Sequence, residues 1–191
     1  MVSIGKASGR KTVATLTDME QPLGNAIGNT LEVIEAIETL KGKGPKDFAE
    51  LCYNLSAEVF LISGIASSMK DALALVDEVI NSGKALEKFK QMVERQGGNP
   101  KVVEDYSLMP LATHTVELFY REDQEAYVEH IDALKIGEAA MILGAGRAKK
   151  EDQIDHGVGI VIHKKVGEKV KKGEKSPRFI LPASISRKHF P

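Results

Sequence analysis

Glu32, Glu35 and Glu38 stand at three-residue spacing, directly after an irregular stretch, Pro22-Leu23-Gly24-Asn25-Ala26. Two readings fit this pattern. Carboxylates three apart share one side of a helix, so they can form a solvated face opposite the apolar side of Val33, Ile34, Ile37 and Leu40. They can also supply charge to a cation site. Hard cations prefer oxygen ligands, and an irregular loop frees main-chain carbonyls that a helix or strand would consume.

Three other groupings could carry chemistry, each beside a plainer structural role. Gly144-Ala145-Gly146-Arg147, followed by Lys149 and Lys150, could cradle an anion with backbone N–H groups, or be a glycine turn between a strand and a charged loop. Lys164 to Lys175, KKVGEKVKKGEK, invites a nucleic-acid reading. No aromatic residue interleaves for base stacking, and lysines along a hairpin edge guard against aggregation, so the run reads as a solvated edge. His114, His130, His156, His163 and His189 show no metal-ligand spacing. Phosphate-loop, dinucleotide, zinc-protease, dithiol and nucleophile-elbow signatures are absent.

The elements that would position these groups follow from periodicity. Lys11–Thr17, KTVATLT, reads as a buried strand. Residues 18–28 read as a loop, marked by Pro22, Gly24 and Gly28. Asn29 with Glu32 forms a capping-box signal for a helix that Gly42, Gly44 and Pro45 end. Further helices are expected from Lys46 to Ile65, from about Ser68 to Ser82-Gly83, and from Lys84 to Gln96. After Tyr106 the texture changes to short β-branched and aromatic runs at 113–120, 125–131, 157–163 and 169–170. The expected fold class is α/β plus α+β: a partial α/β domain of one strand and several helices, then a small α+β domain with a mainly antiparallel sheet. A single buried strand wants neighbours on both sides. The sequence therefore reads as lacking its beginning, with an exposed apolar face that favours association.

Hydrophobic residues make up 42% of the 191 and charged residues 28%, an ordinary globular composition, and the net charge is −1. That balance offers no electrostatic reason to seek nucleic acid or anionic lipid. No apolar run approaches the ~20 residues needed to span a bilayer, and Met1 opens no signal-peptide pattern. Cys52, the one cysteine, lies in a helical apolar pattern and reads as a buried thiol, which suits a reducing cytoplasm.

Three segments in order carry a resemblance. Residues 17–42, TDMEQPLGNAIGNTLEVIEAIETLKG, resemble the segment that follows the active-site half of pyrimidine-nucleoside phosphorylases, the family that includes thymidine phosphorylase. Residues 139–155, AAMILGAGRAKKEDQID, and 157–174, GVGIVIHKKVGEKVKKGE, resemble that family's C-terminal domain. The resemblance implies that residues 1–105 are the C-terminal portion of the central α/β domain and 106–191 the C-terminal α+β domain. It implies a homodimeric pentosyltransferase of nucleoside salvage that takes a pyrimidine nucleoside and phosphate to the free base and a pentose 1-phosphate. It also implies a monovalent cation, usually potassium, beside the phosphate loop, with the carbonyls of Leu23 and Ala26 and the Glu35 carboxylate among its ligands and the others on the phosphate loop, so that the site in these residues is incomplete. The family's phosphate loop and its pyrimidine-gripping arginine, serine and lysine have no counterpart in these residues. Two other readings are carried forward: an accessory or assembly module that pairs with a separate N-terminal half, and a related phosphoribosyltransferase-type enzyme. After Glu174 the sequence departs from the family pattern, which is read as a shift of reading frame at Lys175. That reading predicts loss of the domain's closing strands and a tail, Arg178–Pro191, without a selected role.

Overall fold

Glycine and serine punctuation divides the helical stretch of the chain, as seen in a computed structural model that describes residues 1–181. Helix α1 spans Val2–Ala7, α2 Asn29–Leu40, α3 Lys46–Ser63, α4 Met69–Asn81 and α5 Lys84–Arg95. The Ser68 hydroxyl caps α4 by accepting from Asp71 N at 3.2 Å and donating to the Asp71 carboxylate at 2.7 Å. Gly64 closes α3 in the left-handed conformation, at φ 76°, and Ile65 N donates back to Phe60 O at 2.9 Å.

Contacts divide the chain into two units, Met1–Asp18 with Glu38–Gly98, and Met19–Ile37 with Asn99 onward. In the first unit α3 packs on α4, and α4 on α5. Its buried centre is Ala57, Ala72 and Val76, ringed by Tyr53, Phe60, Leu61 and Ile80. These are small residues on facing helix stripes, so the helices approach closely and larger side chains seal the edges.

The stretch Lys11–Thr17 is not a strand. It belongs to neither sheet, and Val13 is 51% and Leu16 95% exposed. A strand exists only where a neighbour takes up its N–H and C=O groups, and among the described residues none lies alongside. A strand appears instead inside the stretch expected to be wholly loop: β1, Ala26–Ile27.

The second unit is built on antiparallel pairs, as expected for its mixed fold. The strands are β2, His114–Phe119; β3, Ala126–Tyr127; β4, Gly159–Ile162; β5, Lys169–Val170; and β6, Lys175–Leu181. One sheet has the order β1-β4-β6-β2, and β3 pairs with β5 in a second. Helix α6, Ala133–Ala140, runs into a wide turn, Met141–Ala145, so the glycine stretch there follows a helix rather than the expected strand. Ala140 and Leu143 pack on the fully buried Ile160, with Ile27, Val116 and Ile136 around them.

The β1–β4 pairing sets Ala26 opposite Val161 and Ile27 opposite Ile160. It requires glycine on both sides. A Cβ on Gly159 would lie 2.1 Å from Ile27 O, and one on Gly28, at φ 131°, would lie 2.4 Å from Val158 O.

The segment Lys175–Leu181 forms the closing strand that a shifted reading frame was expected to remove, pairing with both β2 and β4. Ladder bonds use main-chain groups, so a strand here asks little of side-chain identity. Pro177, opposite Ile162, brings no N–H to the ladder. Most of the tail of that expectation, including His189, lies outside the described residues.

Ile160→Ala should destabilise the second unit by about 2–5 kcal/mol, as large-to-small changes at fully buried sites do. Urea unfolding followed by near-ultraviolet circular dichroism measures this, and a loss below about 1 kcal/mol would show that Ile160 is not the centre of that core.

Candidate cation site on the Pro22–Ala26 loop

The chain between Gln21 and Gly28 turns sharply, and two glycines permit it. Gly24 sits at φ 68°, and a Cβ there would lie 2.1 Å from Glu35 Oε2. The carboxylate is thus packed against the bare face of the glycine. One of its oxygens, Oε1, accepts from Asn25 N at 2.9 Å and from Ala26 N at 3.0 Å. Two consecutive backbone N–H groups that an irregular turn would otherwise leave without partners end on one charged acceptor, the strong kind of hydrogen bond.

The three glutamates of α2 therefore have three different tasks, and the uniform solvated face does not describe them. Glu32 accepts from Gly28 N at 2.9 Å through Oε1, closing the helix start one residue earlier than the expected Asn29 cap. Asn29 instead donates through Nδ2 to Ala145 O at 3.4 Å. Glu38 pairs with Lys41 at 3.1 Å, a half-exposed i,i+3 contact of small energy.

The loop is fastened from outside as well. Ile162 N donates to Asn25 O at 2.8 Å, continuing the β1–β4 ladder. Val166 N donates to the Gln21 side-chain oxygen at 3.0 Å, and Ala133 N to Glu20 O at 3.3 Å. The Lys165 ammonium donates to Pro22 O at 2.6 Å and also to Gly24 O. Leu23 is 46% exposed at the turn, and Ala26 lies in β1. Of the expected residues, Glu35 on α2 meets Ala26 through its N–H, while Leu23 stands at the exposed turn two residues before Asn25. Lys165 was not singled out from the sequence, where it is one lysine of a basic run. Its only sequence signal is its place before Val166-Gly167 at a turn.

The rest of that run is answered charge by charge. Lys164 pairs with Glu174 at 2.9 Å and Lys175 with Glu117 at 2.8 Å. Lys172 meets Asp123, and Glu125 receives both Lys169 and Lys171, the latter at 3.0 Å. These lysine pairs hold the Glu125 carboxyl below the usual glutamate range, Lys169 contributing most.

Just past the Gly144–Arg147 stretch, two backbone donors are taken by the chain itself. The Asp152 carboxylate accepts from Ala148 N at 3.1 Å and Lys149 N at 2.8 Å, so donors that could hold an outside anion hold Asp152. Cys52 is half-buried rather than buried, and desolvation pushes its thiol pKa up, which disfavours the reactive thiolate. Among the described residues no three of His, Cys, Asp and Glu gather as a metal-ligand set. A cation on this loop would rely on carbonyl oxygens with Glu35.

Residues 127–175 match a family model described as the pyrimidine nucleoside phosphorylase C-terminal domain, and residues 1–86 match the glycosyl transferase family a/b domain. Over 174 residues, 91% of the chain, it is 51% identical to a pyrimidine-nucleoside phosphorylase of Geobacillus stearothermophilus. Over the same share it is 50% identical to one of Bacillus subtilis and 49% to one of Staphylococcus haemolyticus. The chain belongs to the pyrimidine-nucleoside phosphorylase family. That family is one of pentosyltransferases. The chain spans 40% of the length of these relatives. Both family models fall on stretches that the loop links: the first contains Leu23, Ala26 and Glu35, and the second contains Lys165.

Two measurements check this geometry. Glu35→Ala should raise the hydrogen-exchange rates of the Asn25 and Ala26 amides by ~10-fold or more, the worth of a charge-assisted hydrogen bond; unchanged rates would remove Glu35 from the loop. Glu125, whose folded pKa is depressed, contributes stability above its unfolded pKa and loses it as pH falls through the folded value. The amides of Val128 and Gly167, which bond just beyond the β3–β5 pair, should therefore exchange faster, after correction for intrinsic rates, once pH drops below the usual glutamate range. Glu125→Gln should flatten that dependence.

Proposed function

We propose that these residues are the C-terminal part of a pyrimidine-nucleoside phosphorylase and that by themselves they do not catalyse phosphorolysis. The observation that carries this is the 49–51% identity, over 91% of the chain, to relatives named as pyrimidine-nucleoside phosphorylases. In the proposed reaction phosphate attacks the anomeric carbon of a pyrimidine nucleoside as the base departs, giving free base and a pentose 1-phosphate. Catalysis of that step rests on holding phosphate in line and stabilising the charge that develops on sugar and base. The phosphate loop and base-gripping side chains that the family resemblance implies are not found among these residues. The working enzyme is read as a cytoplasmic homodimer of nucleoside salvage.

The loop at Pro22–Ala26 is read as this chain's share of a potassium site, with Leu23 O, Ala26 O and the Glu35 carboxylate as its donors. The support is chemical. The donor set is all oxygen with one negative charge, which suits a hard monovalent cation. The same loop already gives two neighbouring carbonyls to an ammonium group, so its main-chain oxygens are arranged to receive positive charge. When bound, the cation would supply a fixed positive charge beside the phosphate site. Glu35, for its part, holds the Asn25 and Ala26 N–H groups and so sets how the loop presents its carbonyls.

A second reading, an assembly module that pairs with a separate polypeptide, is favoured by one observation. Leu55 and Val59 on α3 are 44% and 61% exposed, one helical turn apart. Such a row of apolar residues marks a surface that can pack against another chain.

The purified chain, given uridine or thymidine with phosphate and potassium, is expected to release no free base. Base release by the chain alone would overturn the proposal of inactivity. Release only after mixing with a polypeptide that carries the rest of the Geobacillus relative would favour the assembly module over the inert part.

A further inference from the structure

The peptide unit joining Gly24 to Asn25 is gripped at both ends. Its carbonyl, Gly24 O, receives the Lys165 ammonium, and its N–H, on Asn25, donates to the Glu35 carboxylate at 2.9 Å. A cation on the oxygen and an anion on the N–H polarise the amide in the same direction, so each bond strengthens the other. The ammonium also takes Pro22 O at 2.6 Å. The carbonyls before and after Leu23 are thereby tied to one nitrogen. A peptide plane shares its two Cα atoms with its neighbours and turns only about φ and ψ. With both neighbours held, the Leu23–Gly24 plane, which carries Leu23 O, has little freedom left. On the far side Ala26 N is held by Glu35 at 3.0 Å, and Ala26 itself lies in the β1–β4 ladder.

We propose that Lys165 is a positioning residue for the cation loop. Its ammonium, reaching from the turn between β4 and β5, fixes the Pro22 and Gly24 carbonyls so that Leu23 O, Ala26 O and Glu35 stand ready as a donor set. Lys165 acts through the loop and is not itself a ligand of the cation. This rests on the reading of the loop as part of a potassium site. It also assigns the β4–β5 turn a task that a solvated lysine run would not have. Lys164, one residue earlier, pairs with Glu174 and with Lys169 O instead, and so provides a matched control.

The test uses the full 191-residue chain and three variants, Lys165→Met, Lys165→Arg and Lys164→Met. Hydrogen exchange of the Asn25 and Ala26 amides is followed in potassium chloride and in choline chloride at equal ionic strength. Lys165→Met is expected to exchange these amides at least ~10-fold faster than the parent, the size of one charge-assisted bond. Lys165→Arg should restore most of the protection, and Lys164→Met should stay within ~2-fold of the parent. In the parent, potassium should slow these amides relative to choline, and Lys165→Met should lose that slowing. Exchange within ~2-fold of the parent in Lys165→Met, or a potassium response it keeps in full, would overturn the proposal. An equal loss in Lys164→Met would do the same, because it would reduce the effect to general lysine charge. If the parent itself ignores potassium, the cation reading fails on its own, and the choline series still decides whether Lys165 sets the loop.

Discussion

One carboxylate and the two backbone N–H groups that donate to it hold together the loop proposed as the cation site. Asn25 and Ala26 lie in a turn that cannot satisfy its own donors, and Glu35 takes both. An unpaired backbone N–H removed from water costs about 1–3 kcal/mol, so this single side chain removes two such penalties at once. The rest follows in order. Once Ala26 is held, Ile27 can pair with Ile160, and α2 starts directly afterwards with Gly28 capped by Glu32. The bare face of Gly24 is what lets the carboxylate come so close. A helix, a two-residue strand and a glycine turn thus depend on one another through one acidic group.

Charge elsewhere in the second unit is arranged on the same principle of local settlement. The lysines at 164, 169, 171, 172 and 175 each meet a carboxylate from a neighbouring strand or turn. Each pair is exposed and weak by itself. Together they set each lysine beside an opposite charge on a neighbouring element. Asp152 does similar work at the turn after α6, filling with its own carboxylate a backbone nest that would otherwise invite an anion. Family membership comes from long, ordered identity and from two family models that fall on different stretches of the chain. The local geometry adds a reason for that order: the loop in the first stretch is completed by a lysine from the second.

Much of this was legible in the residues. Ser68, Gly83 and the apolar periodicity marked α3, α4 and α5 to within two residues, because capping and helical spacing are local properties. The same holds for the cores of β2 and β4, where β-branched residues cluster between glycines and charges. The Glu35 carboxylate and the loop before it were legible as a pair of candidates, though pattern alone favoured a solvated face.

What tertiary structure alone decided is long-range. Lys11–Thr17 has strand composition and is no strand, because pairing partners are not a property of the segment. Ala26–Ile27 has loop punctuation on both sides and is a strand, because β4 lies beside it. Lys165 looks like its neighbours in the run and differs from them only in where the turn between β4 and β5 points its ammonium, 143 residues from Pro22 in sequence. Composition and periodicity report what a residue prefers. Which donor meets which acceptor across such a distance is set by the fold that brings them within 3 Å of each other.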